Sequence, residues 1–176
     1  GCLGELAGTP GYWAALALSS GRILGGFLTA SALAAGLAAL SARFSLVREL
    51  LSPAVAAIKA VPVASFIILV YLWLPGRWLT TFIAALMVFP PVYLNLLEGL
   101  ARRDRALAEM ARAFRVPWGR RFRQLDLPQL LPYLRSAVSL GLGLCWKAGV
   151  AAEVIGVVRG SLGEQLYESK IYFEMP

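Results

Sequence analysis

The sequence predicts an all-α protein, a polytopic transmembrane helical bundle with about four spans in one domain over residues 1–176. Two observations lead to this prediction. Hydrophobic residues make up 59% of the chain and charged residues only 15%, whereas a soluble domain usually carries about 25% charged residues. The apolar residues also collect in four long stretches, and a helix needs about 20 of them to cross roughly 30 Å of bilayer hydrocarbon.

Each of the four apolar stretches is a predicted membrane-spanning helix. Pro75-Gly76 separates the second from the third, and because this pair is typical of a tight turn, we expect these two spans to form a helical hairpin. The predicted spans are Leu16–Leu40, Ile58–Leu74, Leu79–Leu97 and Leu134–Val158.

Small residues recur in the first span at a spacing of four. Gly21 and Gly25 form one such pair, and Gly26 and Ala30 form another. In lipid, this spacing lets two helix backbones approach closely. We favour packing inside one bundle over a dedicated dimer contact, because small residues are common at ordinary helix contacts.

Basic residues set the expected orientation of the chain. The net charge is +7, and most of the 17 Lys and Arg residues lie between the first two spans or after the third. Positively charged loops stay in the cytosol, so these segments are predicted to be cytosolic. Gly1–Trp13 is then extracytoplasmic, which requires an earlier span, and we expect the chain to be a piece of a longer protein. The basic excess fits anionic membrane lipid as a partner rather than nucleic acid.

The chain offers little for catalysis or metal binding. It contains no histidine, and its two cysteines, Cys2 and Cys145, match no metal-binding spacing. It has no phosphate-binding loop of the GxxxxGK(S/T) type, so ATP hydrolysis would need another chain. We therefore expect no catalytic residue, no metal site and no cofactor in this chain, and a membrane-integral enzyme is disfavoured.

A long basic loop, residues 98–133, follows the third span and is predicted to be a helix–turn–helix at the cytosolic membrane surface. Its first half repeats apolar residues at helical spacing, Pro117 ends that helix, and a second short amphipathic helix follows. From physics alone, the hairpin either rests on lipid headgroups or docks a partner protein. The apolar residues are Leu100, Leu107, Ala111 and Phe114, then Trp118, Phe122 and Leu125.

The spacing within this loop is distinctive. Glu109–Ala111 is followed by Arg115 and then by Leu125–Pro128. The loop resembles the cytosolic signature loop of ABC importer permeases, in which Glu-Ala-Ala is followed by a glycine and then by Ile-x-Leu-Pro. Arg115 stands at the glycine place, where the family's residue suggests a positive φ that arginine resists by roughly 1 kcal/mol. The turn is then either reshaped or moved to Pro117 and Gly119.

Other segments resemble permeases of the nitrate/sulfonate/taurine branch. The resemblance implies the permease subunit of an ATP-driven importer, which moves a small solute such as nitrate, sulfonate or taurine across the bacterial cytoplasmic membrane. Its implied partners are a cytosolic ABC ATPase that carries ATP and Mg, an extracytoplasmic substrate-binding protein, and a second permease copy in a homodimer. The segments are Ile58–Pro62, Phe89–Asn95 and Trp146–Gly156.

The same resemblance implies site residues in the loop. We expect Glu109 and Ala111 to form the turn that docks the ATPase, with Glu109 paired to a basic group and the small Ala111 allowing close approach. Arg112 and Arg115 are further candidates, for which a solvated charged face is the alternative. Leu127-Pro128 closes the coupling loop.

Two charges, Lys147 and Glu153, lie in the fourth span and are candidates for the translocation path. Six residues correspond to about 240° around a helix, so the two side chains are not expected to share a face. Lys147 either faces the path and favours an anionic substrate, or snorkels or pairs with a neighbouring helix. An ion-coupled secondary transporter is the alternative function, although such proteins use midplane carboxylates and internal repeats, and no repeat is evident.

Overall fold

The computed structural model describes residues 10–171, and the regular structure in that range is helical throughout. Cys2 and most of the Gly1–Trp13 segment lie outside the described residues. A short π-helical segment, Phe122–Asp126, joins helix Trp118–Arg121 to helix Leu127–Gly156. The helices are α1 (Pro10–Arg43), α2 (Ser45–Ala60), α3 (Val63–Tyr71), α4 (Gly76–Ala101), α5 (Arg105–Ala113), α6 (Trp118–Arg121), α7 (Leu127–Gly156) and α8 (Leu162–Ile171).

Three of these helices, α1, α4 and α7, are long and apolar enough to cross a membrane. The bent pair α2–α3 adds a fourth crossing if its two halves count as one span. The first, third and fourth predicted spans fall on α1, α4 and α7, and Pro75-Gly76 marks the turn that leads into α4. The prediction of an all-α bundle with about four spans is confirmed.

The second predicted span, Ile58–Leu74, is wrong as a continuous helix. The chain bends by 99° between α2 and α3, and Pro62 precedes α3 with φ −58° and ψ 136°. Proline disfavours the helical conformation in the residue before it, and Val61 is extended accordingly. Since α3 has nine residues, it is only about 14 Å long, about half of the hydrocarbon thickness.

Helix α4 lies at the centre of the bundle, because α1 and α7 both pack along it. The Tyr93 hydroxyl of α4 donates a hydrogen bond to the Ser41 hydroxyl oxygen of α1 at 2.9 Å, so a buried polar contact accompanies the apolar packing. A second core cluster joins α3 to α4 and α7. The main cluster includes Ile23, Phe27, Val88, Val92, Ala137 and Cys145, and the second includes Ile67, Val70, Leu79, Ile83, Ala148 and Ala152.

One of the two small-residue pairs in α1 forms the contact with α4. Ala30 is buried, and a Cβ added to Gly26 would lie 2.5 Å from the Thr81 carbonyl oxygen. A Cβ added to Gly21 or Gly25 would meet nothing within 4 Å. The pair Gly26–Ala30 therefore serves packing inside the bundle, as predicted.

Gly26→Ala should lower the free energy of unfolding by about 1–3 kcal/mol, because the added methyl group must push the α1 and α4 backbones apart. The matched control is Gly25→Ala, which adds the same group to open space on the same helix. Thermal unfolding of both full-length variants in detergent measures the difference. Equal melting temperatures would contradict the close contact between α1 and α4.

Candidate functional site

The first helix of the basic loop, α5, begins at a side-chain cap. One carboxylate oxygen of Asp104 accepts hydrogen bonds from the backbone N–H groups of Ala106 and Leu107, at 2.8 and 3.3 Å. This N-cap separates α5 from α4, so Leu100 belongs to α4 and does not share a helix with Leu107. The predicted helix–turn–helix is present, but its first helix starts after Asp104 rather than continuing from the third span.

The end of α5 is a left-handed turn centred on Arg115. The Arg115 N–H donates to the Arg112 carbonyl oxygen at 3.0 Å, and the Val116 N–H donates to the Ala111 carbonyl oxygen at 2.9 Å. These two bonds are those of a Schellman motif, whose C′ residue takes a positive φ. Arg115 has φ 50°. The turn is therefore neither reshaped nor moved to Pro117 and Gly119, and arginine adopts the conformation expected of the family's glycine.

The other predicted docking residues of α5 differ in accessibility. Ala111 is 2% exposed, so its methyl group is covered by the chain itself. Glu109, Arg112 and Arg115 are exposed. Any direct contact with a partner therefore falls to these three charged side chains, while Ala111 fixes the position of the turn that carries them.

Aromatic side chains form an exposed patch beside this turn. Phe114 and Trp118 are each 77% exposed, and the Trp118 ring stacks on Phe122 with centroids 5.7 Å apart. Phe114, predicted to lie on one helical face with Ala111, is the C-cap residue of α5 and is exposed, whereas Ala111 is buried. Exposed apolar patches of this kind mark surfaces that contact another molecule.

The two ends of the loop are clasped together by Asp126. Arg103, just after α4, donates a hydrogen bond from Nη1 to Asp126 Oδ1 at 3.0 Å, and Arg121 Nε lies 3.8 Å from Oδ2. A second link runs from the Asp104 N–H to the Gln129 side-chain oxygen at 3.0 Å. The sequence interpretation missed this clasp. The sequence feature that could have indicated it is Asp126 itself, an isolated acidic residue close to several arginines. It occupies the variable position of the Leu125–Pro128 pattern.

The loop ends where the π-helical segment passes into α7. Leu127 is the first residue of α7, and Pro128 lies in its first turn. Both side chains are exposed. The expectation that Leu127-Pro128 closes a separate short helix is wrong, because the chain stays helical from Trp118 through this pair to Gly156. The Asp126 clasp lies immediately before the pair.

A cavity of about 400 Å³ lies where the α2–α3 bend faces the two prolines of α4. Its polar lining residues are Lys59 and Asn95, and the Asn95 amide donates to the Pro91 carbonyl oxygen at 2.8 Å. Leu144 of α7 closes another side. Lys147 is exposed and lies three residues beyond Leu144, so it stands on the same side of α7 as the cavity.

Glu153 occupies a different environment from Lys147. Its side chain has no exposed surface, and its two oxygens accept hydrogen bonds from Ser19 at 2.7 Å and Thr80 at 3.4 Å. The expectation that the two charges do not share a face is confirmed. In this conformation Glu153 faces the interior of the bundle, and its expected place on a translocation path stays a prediction.

Comparison with known proteins shows that this chain is similar to membrane transport proteins. Residues 31–176 match the family described as "Binding-protein-dependent transport system inner membrane component". A Brucella melitensis biotype 1 protein, named as a probable ABC transporter permease protein, is 28% identical over 88% of this chain and 63% of its own length. In Escherichia coli (strain K12), the permease SsuC, named for aliphatic sulfonates transport, is 33% identical over 64% of this chain and 43% of its own length.

A further relative is the taurine transport system permease protein TauC of the same Escherichia coli strain. It is 27% identical over 65% of this chain and 42% of its own length. The chain spans about three fifths of the length of the first curated relatives it matches.

Asp126→Asn should destabilise the base of the loop by about 1 kcal/mol. A hydrogen bond to a charged group contributes about 1.5–3 kcal/mol, and solvent screens part of it because the Arg103 side chain is 36% exposed. Faster amide hydrogen exchange in α5 is the readout. The control is Arg102→Gln, which removes an ion pair to Glu98 whose side chains are 68% and 51% exposed. Equal exchange in both variants would contradict the clasp.

Proposed function

We propose that this chain, which belongs to the family of binding-protein-dependent transport system inner membrane components, is the membrane-spanning permease subunit of an ATP-driven ABC importer. The family match and the sulfonate and taurine relatives confirm the predicted ABC permease of the sulfonate/taurine type. The family and the apolar helices make it a multi-pass membrane protein. Its family also implies an ATPase and a substrate-binding protein as general partners. We place it, as a homodimer, in a bacterial cytoplasmic membrane.

The observation that carries this proposal is a loop that combines an exposed surface with a fixed base. Glu109, Arg112 and the aromatic patch are exposed, so they are free to contact a cytosolic ATPase that carries ATP and Mg. The Arg103–Asp126 clasp ties both ends of the loop to the central helices α4 and α7. Displacement of the loop by the ATPase would therefore move these helices rather than only bend the loop, which is the coupling a transport cycle needs.

A solute with a sulfonate or similar anionic group is the proposed substrate class. Relatives named for aliphatic sulfonates and for taurine support it. The cavity near the α2–α3 bend presents Lys59 and the Asn95 amide. Lys147 does not line it but lies one helical turn from the lining residue Leu144. Positive charge within a membrane protein favours an anionic solute. A relative named for riboflavin transport, 31% identical over 73% of this chain, makes riboflavin the alternative to test.

Two substitutions should disturb the docking turn: Glu109→Lys and, at a buried position, Ala111→Leu. Each should reduce permease-stimulated ATPase activity and transport about tenfold. Membrane insertion should persist, since neither residue lies in a spanning helix. The control is Glu98→Lys, which reverses an exposed charge outside the turn. Normal coupling in the Glu109 and Ala111 variants would exclude the docking role. Uptake that ignores ATP depletion and collapses with a protonophore would favour the ion-coupled transporter.

Lys147→Met should weaken uptake of taurine or methanesulfonate about tenfold while leaving uptake of a neutral solute unchanged, because only the anion loses a favourable charge interaction. Transport by the complete importer in proteoliposomes is the assay. Arg135→Met, a charge removal at an exposed position on the same helix, is the control. Unchanged anion uptake by the Lys147 variant would remove this lysine from the path.

A further inference from the structure

A second cavity, of about 420 Å³, lies at the end of the bundle opposite the basic loop. It is formed where α1, the end of α3, the start of α4 and the turn after α7 meet. Three arginines from three separate segments line it: Arg22 of α1, Arg77 of α4 and Arg159 after α7. The Tyr71 ring also lines it. Like charges repel, so this convergence needs a compensating group.

Arg22 carries the clearest sign of a missing partner. Its Nη1 atom is buried and makes no hydrogen bond, and the described residues offer it no ion pair. Burying a donor of a charged group without an acceptor is costly, and native structures rarely leave one in that state. The guanidinium is therefore placed for an acceptor that the described residues 10–171 do not supply.

The acids nearest to this cavity along the chain are already engaged elsewhere. Glu153 precedes the turn after α7, but its oxygens accept from Ser19 and Thr80. Glu164 accepts a hydrogen bond from the Gly160 N–H at 2.6 Å. The residues that line the cavity include neither Asp nor Glu. Within the part of the chain that the structure describes, no neighbouring carboxylate therefore neutralises the positive charge of the three arginines.

The backbone after α7 holds Arg159 at the cavity in an unusual conformation. Val157 has φ 43° and ψ 57°, a left-handed conformation that is rare for a β-branched residue. The next side chain, Val158, is 4% exposed and anchors the turn in the core. Gly156 is fixed as well, since an added Cβ would lie 2.5 Å from the Leu79 side chain. The turn therefore presents Arg159 from a fixed position rather than from a free tail.

We propose that this cavity is an oxyanion site, which binds a phosphate or sulfonate group through the three guanidinium groups and the Tyr71 hydroxyl. Guanidinium groups donate paired hydrogen bonds that match the oxygens of such anions. The volume exceeds that of several water molecules, at about 30 Å³ each in the liquid, so a small anion and some solvent fit together. The group would come either from a free anion or from the headgroup of an anionic lipid. The proposal is independent of ATP-driven transport, because binding needs no ATPase.

The test uses the full-length protein in nanodiscs and measures binding without nucleotide or ATPase. In phosphatidylcholine nanodiscs, calorimetric titration with sodium methanesulfonate and with inorganic phosphate detects a free-anion site. In a second arm, native mass spectrometry after exchange into mixed phosphatidylcholine and phosphatidylglycerol measures retention of the anionic lipid. Arg22→Gln should weaken whichever binding is observed about tenfold, as expected for a lost charge-assisted hydrogen bond. Arg43→Gln, at the other end of α1, is the matched control and should leave it unchanged.

Two further variants keep the test decisive if Arg22→Gln does not fold. Arg77→Gln and Arg159→Gln change exposed side chains and should each weaken the same binding. Loss confined to methanesulfonate and phosphate identifies a free anion as the source, and loss confined to phosphatidylglycerol identifies the lipid. Absence of all three interactions in the wild-type protein, or equal binding in every variant, would overturn the proposal.

Discussion

A carboxylate buried at the meeting point of four helices constrains the rest of the bundle. Ser19 of α1 and Thr80 of α4 hydrogen-bond to Glu153 of α7, and the Ser19 oxygen in turn accepts from the Leu162 N–H at the start of α8. A buried carboxylate is tolerated only while such partners remain in place. Helices α7 and α8 also lie close together here, since an added Cβ at Gly163 of α8 would collide with the Glu153 backbone of α7. Separation of α1 or α4 from α7 would remove one of the two hydrogen bonds to Glu153, and separation of α8 from α1 would remove the bond to Ser19, so the four helices hold their relative positions at this level.

The loop end of the bundle uses a related arrangement that is more open to solvent. Asp126 lies just before α7 and is paired with Arg103 and, at longer range, with Arg121. Helix α7 therefore makes polar contacts with other segments near both of its ends, through Asp126 and through Glu153. A helix held in this way passes a displacement along its length, whereas a helix with a free end would absorb it.

The sequence was sufficient for the spans and for the existence of the loop, because hydropathy, charge asymmetry and proline positions are local signals. It was insufficient at Val61–Pro62, where Pro62 disfavours a continuous helix but no local signal gives the size of the 99° bend, which depends on packing against other helices. The Arg115 conformation was anticipated as a difficulty but not resolved, since the two backbone bonds that hold it outweigh the preference of one side chain. The Arg103–Asp126 contact joins residues 23 positions apart, beyond the reach of helical periodicity.

The 99° bend between α2 and α3 also determines where the interior of this protein contains an interrupted helix. A helix that starts within the membrane has first-turn amide groups with no preceding turn to accept from them, and hydrocarbon supplies no acceptor. Val61 and Val63, on either side of this break, line the cavity beside α4. These amide groups therefore require acceptors from that cavity or from a neighbouring helix, since the hydrocarbon around the chain offers none. A broken helix thus places a demand for polar partners in the interior of the bundle, where a continuous helix would place none.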